Sequence, residues 1–159
     1  MIKLKNAKDT FCTGSSVLLN IGSEMIRSDS GIVTTIAWVD AGKPTYAFEG
    51  ITNFTGATIA WLQNQMEIIT SAAETENLAR SVEDNGGVYL VPAFVGLSAP
   101  YWEPHAKAAI LGLTPHSKKA HIVRAGLESI AYRIRDVLSL MAQNAGVEMQ
   151  YIHADGGAV

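Results

Sequence analysis

The chain has 159 residues, of which 48% are hydrophobic and 17% charged, with a formal net charge of -3. This length supports one hydrophobic core and excludes two full-size domains, so we expect a single domain over residues 1–159. The acidic balance, without a cluster of Lys or Arg, excludes nucleic acid as a partner. No apolar run is long enough to cross a membrane. The single cysteine, Cys12, cannot form an internal disulfide, which predicts a reducing, cytoplasmic location.

The first fifty residues have the composition of antiparallel strands. Residues 10–20 predict two strands joined at Gly14, a hairpin with small hydroxyl side chains at its tip. Residues 31–38 and 45–50, rich in β-branched and aromatic side chains, predict a second pair of strands. Residues 41–44 form the predicted turn between them.

From Gly56 onward the spacing of apolar residues becomes helical. A helix running from Gly56 to about residue 69 is predicted, followed by a shorter helix over 71–82 and a strand over 88–92. The apolar face of the first of these helices consists of Ile59, Leu62, Met66 and Ile69.

The second half of the chain contains a loop and a long amphipathic helix. Residues 96–112 are dense in glycine, proline and aromatics, which predicts an ordered surface loop. The helix is predicted over 118–144, ended by Gly146, with a strand over 151–155 after it. The apolar face of the long helix consists of Val123, Leu127, Ile130, Ile134, Val137, Leu138 and Met141.

This order of elements predicts an α/β domain with a mixed sheet and flanking helices. Half of an actin-like ATPase, or ribonuclease H-like, domain has the same order. In the complete unit a further helix and strand follow the position of Asp155-Gly156-Gly157 and close the sheet. We therefore expect the domain to be partial, incomplete at its C-terminus.

Three short stretches have the chemistry to bind an anion or a flat ring. The hairpin tip Thr13-Gly14 offers backbone N–H groups without a bulky side chain. Gly56 stands at the start of a helix, and Gly157 follows a strand, so both leave room for a ligand close to the backbone. Each stretch is also ordinary chemistry for a turn, a helix start or a strand end, and none identifies a site by itself.

Other candidates for chemistry are weaker. The sequence has no P-loop, dinucleotide, zincin or hydrolase motif. His105 and His116 have no second ligand at metal spacing, so we predict no metal site. No carboxylate can be assigned as a general base, so we predict no catalytic residue within the chain. Trp61 lies off the apolar face of its helix and is expected to pack in the core.

Taken in order, seven stretches of the chain resemble the C-terminal half of the FGGY carbohydrate kinases. Residues 108–113, with 121–128 after a spacer, also resemble a signature of that family, with Gly126 in place of its usual small or aliphatic residue. The resemblance is colinear and covers essentially the whole chain. The stretches are Thr13-Gly14-Ser15, residues 46–50, 56–62, 88–94, 99–104, 127–132 and 155–159.

The resemblance implies an actin-like ATPase fold in two lobes, with ATP and Mg²⁺ in the cleft and a small-molecule polyol or sugar as phosphoryl acceptor. It implies that Thr13 and Gly14 contact the nucleotide phosphates. It places Gly56 beside the nucleotide and Gly157 in the wall of the adenosine pocket.

The chain departs from the family pattern at three points. The family's catalytic base belongs to a Gly-Asp-Gln motif upstream of the matched segment, so we expect the isolated chain to be an inactive fragment. Ser16 stands where an aromatic side chain usually packs on the acceptor, and Ala60 where glutamine is common. Glycerol is the expected acceptor in the intact enzyme, with another polyol or a pentulose as the alternative.

A different class of function is a non-catalytic, self-associating module. The low share of charged residues and the aromatics in Pro100-Tyr101-Trp102 are typical of a surface that another molecule covers. We therefore expect a homo-oligomer.

Overall fold

The structure is a computed structural model that describes residues 3–158 and the side chains of residues 7–158. Val159, the last residue of the resemblance, lies outside the described residues. In chain order the elements are β1 (Lys3–Phe11), β2 (Ser15–Gly22), β3 (Val33–Asp40), β4 (Lys43–Thr52), α1 (Gly56–Asn64), α2 (Glu74–Arg80), β5 (Tyr89–Val91), β6 (Ala109–Leu111), α3 (Lys119–Ala145) and β7 (Val147–Asp155).

Five strands form one mixed sheet in the order β3-β4-β2-β1-β7. β1 and β2 are an antiparallel hairpin, as are β3 and β4, and β2 joins the two hairpins by pairing with β4. After α3 the chain returns as β7, which pairs parallel to β1. The short strands β5 and β6 form a separate antiparallel pair. The predicted mixed sheet with flanking helices is confirmed.

The helix α3 covers one face of the sheet. Because side chains alternate along a strand, the inward positions of β2 and β4 share that face and are buried. At Gly50 the two layers are so close that a Cβ atom would lie 2.3 Å from Cγ1 of Val137. The wholly buried core side chains at this contact are Val17, Leu19, Phe48, Val137 and Met141.

The first helix is shorter than predicted. α1 ends at Asn64, because Gln65 and Met66 both donate to the carbonyl of Trp61 and Glu67 takes a left-handed conformation with φ of 54°. Met66 is therefore exposed. Ile69 still reaches the core, through a turn rather than through the helix.

Other predicted boundaries also moved. The second helix spans Glu74–Arg80, within the predicted 71–82. The predicted loop over 96–112 contains β6, and β7 begins at Val147, four residues before the predicted strand. The long helix is confirmed, and Gly146 ends it in the left-handed conformation, with φ of 60°.

The aromatic loop is tied to the rest of the domain by hydrogen bonds. The Tyr101 hydroxyl donates to Asp136 over 2.8 Å, and Trp102 Nε1 donates to the carbonyl of Gly31 over 2.6 Å. Both rings remain about half exposed. Within residues 3–158, no helix is long and apolar enough to span a membrane.

Candidate functional site

The tip of the first hairpin, residues 12–14, joins β1 to β2 in a tight turn. The Cys12 amide donates to the carbonyl of Gly14 over 2.8 Å. Among the hydrogen bonds of the described residues, none uses the backbone N–H of Thr13 or Gly14. Two adjacent amides at an exposed turn are therefore available to an anionic ligand.

The tip is bound directly to the start of α1. The amides of Thr55 and Ala57 both donate to the carbonyl of Thr13 over 3.0 Å, and the Gly56 amide donates to the carbonyl of Cys12 over 3.0 Å. The first amides of α1 therefore have acceptors within the protein. Gly56 was predicted to leave room beside the backbone for a flat ring or a phosphate, and the tip carbonyls occupy the amides that a phosphate would use there. Its place beside a nucleotide stays a prediction.

Two glycines make this contact possible. A Cβ atom at Gly14 would lie 2.4 Å from the carbonyl oxygen of Thr52, and one at Gly56 would lie 2.6 Å from that of Cys12. Below them, the Ser15 and Thr55 hydroxyls share a buried hydrogen bond of 2.9 Å. The sequence Phe54-Thr55-Gly56-Ala57 thus fits the tip closely.

The loop after β7 rests on the end of β1. Gly156 takes a φ of 113° and passes so close to Phe11 that a Cβ atom would lie 2.0 Å from the Phe11 carbonyl oxygen. The Ala158 amide donates to the same carbonyl over 3.2 Å. Gly157 is different, because a Cβ atom there would meet no atom within 4 Å. Its backbone therefore faces open space.

A cavity of about 1610 Å³ lies where the tip, α1, α3 and β7 meet. Three of the four predicted binding residues, Thr13, Gly56 and Gly157, line it. Gly14 does not line the cavity and lies behind the tip, against Thr52 and Asn53. The structure thus brings together residues that are up to 144 positions apart in the chain, by the difference between 157 and 13, while their role in binding stays a prediction.

The cavity walls are mostly apolar, with a few polar groups at intervals. The cavity is also lined by Gln63, Glu76 and Arg135, which lie on three different helices and were not predicted from the sequence. No local motif marks them. The signal that was available is the row of small and apolar side chains on facing helices, namely Ala57, Ile59, Ala60, Leu127, Ile130, Ala131 and Ile134.

An exposed ion pair lies at the end of β7, where the loop after it begins. Nζ of Lys8 lies 3.0 Å from the Asp155 carboxylate and also donates to the hydroxyl of Thr10 over 2.6 Å. The hydrogen bond from Lys8 holds the pKa of Asp155 below its usual value. Asp155 is therefore already paired within the sheet.

Ser16 lies on the other face of the sheet. Its neighbours Ser15 and Val17 point toward α3 and are buried, so Ser16 points away from the cavity. Its hydroxyl donates to Oε1 of Glu49 over 2.9 Å. A hydroxyl and a carboxylate thus stand together two residues beyond the tip.

The remaining candidates take structural positions. Trp61 packs against Phe94, with ring centroids 4.8 Å apart. His105 and His116 are exposed. In the part of the chain that the structure describes, no three His, Cys, Asp or Glu side chains are placed to hold a metal ion together.

Comparisons with known proteins agree on one family. Residues 10–159 match the model of the C-terminal domain of the FGGY family of carbohydrate kinases. The chain is 53% identical over 152 residues to the glycerol kinase of Petrotoga mobilis, and 50% identical to glycerol kinase 2 of Thermotoga maritima. Each alignment covers 96% of this chain, which spans 30% and 31% of the length of those two relatives.

Solved structures give the same result. The crystal structure of Plasmodium falciparum glycerol kinase with ADP matches with a TM-score of 0.88 and 37% identity, over 95% of this chain and 30% of that protein. Xylulose kinase from Bifidobacterium adolescentis, 19% identical, shares the fold with a TM-score of 0.80 over 98% of this chain and 30% of that protein. The fold is that of the actin-like ATPases, as predicted, and the chain belongs to the FGGY family of carbohydrate kinases.

Proposed function

We propose that this chain forms the nucleotide-binding part of an ATP-dependent kinase that transfers the γ-phosphoryl group to glycerol. The observation that carries the proposal is the convergence of the hairpin tip, the start of α1 and the loop after β7 on one cavity. The names of the relatives support glycerol as acceptor, and the ADP in the similar crystal structure supports a nucleotide.

The residues present fit a nucleotide. The amides of Thr13 and Gly14 are unused and suit phosphate oxygens, while the apolar walls from α1 and α3 suit a flat base. Open space at Gly157 leaves a passage beside the backbone. When bound, ATP supplies the phosphoryl group, and the part of this chain is to hold and orient it.

Mg²⁺ is proposed to enter with the nucleotide. The described residues place no three metal-ligating side chains together. Mg²⁺ commonly keeps several waters and binds through substrate phosphates with only one or two carboxylates. A dedicated cage in this chain is therefore not required.

The acid–base step is proposed to need a carboxylate from outside this chain. The carboxylates around the tip and in the cavity wall are engaged or buried. Asp155 binds Lys8, Glu76 binds Arg80, Glu49 accepts from Ser16, and Asp9 is wholly buried. None is free to accept a proton from an acceptor hydroxyl. We therefore expect no phosphoryl transfer by the 159-residue chain alone.

Isothermal titration of the chain with Mg-ADP tests the binding site. We expect the chain to bind Mg-ADP and Thr13→Val to weaken this binding, because the substitution removes a hydroxyl beside the proposed phosphate position. Thr13 is exposed, so the substitution leaves the core intact. Gly157→Leu should abolish binding by filling the open space. Thr35→Val, on β3, is the matched control and should bind like the parent. Equal affinities for all four proteins would contradict the site.

A second acceptor class is favoured by the pair of Ser16 and Glu49. In-line transfer requires the acceptor to approach on the side of the phosphate opposite the leaving nucleotide. The cavity lies on one side of the tip, and Ser16 and Glu49 lie on the other. Two hydrogen-bonding groups there suit an acceptor with more hydroxyls than glycerol, such as a tetritol or pentulose.

A chimera distinguishes these acceptors. This chain would replace the aligned segment of the Petrotoga mobilis glycerol kinase, and ADP release would be measured with glycerol, tetritols and pentuloses. Release with glycerol supports the first acceptor, and release only with a larger one supports the second. Ser16→Phe should then shift preference back toward glycerol. A folded chimera inactive with every acceptor would contradict the kinase function.

We also propose that the chain acts in the cytoplasm and self-associates. The unpaired thiol of Cys12 suits a reducing compartment. The edge strand β3 exposes Ile36, Trp38 and Val39, which is the kind of edge that pairs with another chain. Light scattering over a wide range of concentration should show a dimer or larger species. A monomer throughout would contradict self-association.

A further inference from the structure

Asp9 is a wholly buried acid in the strand that leads to the hairpin tip. Its exposed fraction is 0%, and among the described residues neither carboxylate oxygen has a hydrogen-bond partner of good geometry. The backbone N–H of Thr10 acts on the carboxyl only weakly, lowering its pKa by less than burial raises it. It stands between Val17 of β2 and Ala154 of β7 in the sheet register. These partners place it on the face that α3 covers. Ionising a buried carboxylate without a partner costs free energy, so the buried position of Asp9 between β2 and β7 favours the neutral acid.

The charged groups around Asp9 do not compensate its burial. Burial raises its pKa from 3.8 to about 6. Lys8, on the same strand, lowers the pKa, but its ammonium group is bound to Asp155, which raises it. The β2 side chains on the face of Asp9 are neutral, and the α3 side chains in the core beside it are apolar. The charged Arg135 of α3 lines the cavity.

Asp9 lies under both loops of the proposed site. Two residues after it, Phe11 lines the cavity and its carbonyl receives the Ala158 amide. On the neighbouring strand, Ala154 lines the cavity one residue before the Asp155-Gly156-Gly157 loop begins. If β1 and β7 separate to let water reach an ionised Asp9, both loops move with them.

We propose that Asp9 is a positioning residue whose protonation keeps β1 and β7 paired beneath the cavity and thereby sets the tip and the loop after β7. When Asp9 is neutral, β1 and β7 can stay paired with its side chain buried between them and α3. The ionised acid draws water between them and loosens the ladder. The consequence for nucleotide binding rests on the proposed function, whereas the consequence for strand pairing does not.

The sign of the pH dependence follows from the direction of the shift. An acid whose pKa is raised by folding stabilises the native state below its unfolded pKa and loses this contribution as the pH rises through the folded value. From 3.8 unfolded and about 6 folded, the unfolding constant should increase about tenfold between about pH 5 and about pH 7.5 through Asp9 alone.

Urea unfolding of the 159-residue chain at these two pH values tests the proposal. Asp9→Asn keeps the shape and removes the charge, so its unfolding constant should lack the tenfold rise. Asp40→Asn, on the exposed end of β3, changes the net charge equally and should behave like the parent. If Asp9→Asn does not fold, Asp9→Val replaces it. A parent profile as flat as that of Asp9→Asn, or of Asp9→Val where it is used, would overturn the proposal.

Amide hydrogen exchange and Mg-ADP titration locate the effect. Corrected for the intrinsic rate, amides of β1 and β7 should exchange faster at the higher pH in the parent and not in Asp9→Asn. Uniform acceleration over the whole sheet would overturn the assignment to these strands. The ligand's own titration is common to both proteins, so the parent should lose affinity for ADP relative to Asp9→Asn. Absence of binding in every protein would reject the nucleotide site and leave the unfolding result to judge Asp9.

Discussion

The two halves of the same sheet face are built differently. Under β2 and β4 the sheet meets α3 so closely that Gly50 has no space for a Cβ atom beside Val137. Under β1 and β7 the same helix and the same sheet part to form a cavity of about 1610 Å³. The wholly buried side chains at the contact in the first half are apolar, while the second half buries the carboxyl of Asp9, which has no hydrogen-bond partner of good geometry among the described residues.

The difference shows that the two halves of this face are packed to different extents. Close packing at β2 and β4 provides the free energy of folding. At β1 and β7 the packing is incomplete and a titrating group is retained, both of which are costly for stability and typical of a binding region. Substitutions on the two sides should therefore have unequal effects.

The largest effect is expected at Phe48. Its side chain is the largest that is wholly buried, so Phe48→Ala should lower the free energy of unfolding by about 3–5 kcal/mol. Ile152→Ala, on the same face beside the cavity, should cost less than about 1 kcal/mol because its side chain is already 49% exposed. Denaturant unfolding of both variants measures the contrast. Equal losses would remove the distinction between the two halves.

The next effect comes from adding an atom. Gly50→Ala places a methyl group 2.3 Å from Val137 and should cost about 1–3 kcal/mol. Gly157→Ala adds the same group in open space and should change stability by less than about 0.5 kcal/mol. Combining Val137→Ala with Gly50→Ala should cost less than the sum of the two single changes, because the smaller side chain makes room for the new methyl group. A double variant with purely additive losses would show that this close contact does not exist.

A smaller effect is expected at the buried hydrogen bond between Ser15 of β2 and Thr55 at the start of α1. Thr55→Val leaves the buried hydroxyl of Ser15 with its 2.9 Å hydrogen bond broken, which should cost about 1–2 kcal/mol. Replacing both residues, as Ser15→Ala with Thr55→Val, should cost less than the two single changes together. Thr35→Val is the control for the loss of a hydroxyl in a strand. Strict additivity of the pair would argue against the hydrogen bond.

The smallest effect is expected for the exposed pair of Lys8 and Asp155. Because the pKa of Asp155 is lowered, the pair stabilises the fold above the usual Asp value and this contribution is lost as the pH falls below it. Lys8→Met should lower the urea midpoint less than Phe48→Ala, Gly50→Ala or Thr55→Val does, and the difference should disappear in about 1 M salt. A midpoint shift that persists in salt would indicate a packing role for the Lys8 side chain.

Much of the fold was predictable because it depends on local chemistry. Gly14 marks the hairpin, and the apolar face of residues 118–144 with Gly146 after it marks α3. The end of α1 was not predictable, because Ile69 keeps the helical spacing while the backbone turns at Glu67. β6 was missed because three residues in a glycine-rich loop become a strand only when β5 pairs with them.

The site was predictable in part. Glycines with a polar neighbour predicted Thr13, Gly14, Gly56 and Gly157, and three of these line one cavity, while their role in binding stays a prediction. Asp9 was not identified, since the run Lys8-Asp9-Thr10 is typical of an exposed strand. Its burial depends on Val17 and Ala154, which come from strands 8 and 145 positions later, by subtracting 9 from each number.

The hydrogen bonds between the hairpin tip and α1 also bear on how this domain can vary in length. Because the carbonyls of Cys12 and Thr13 bind the amides of residues 55–57 directly, the spacing between these groups does not depend on the chain that connects them. The β3–β4 hairpin lies entirely within the part of the chain that connects these groups. Insertions or deletions at its outer turn, Ala41-Gly42, would leave the geometry at the cavity unchanged, so this hairpin is the natural place to add a tag, a fluorophore or a new binding loop.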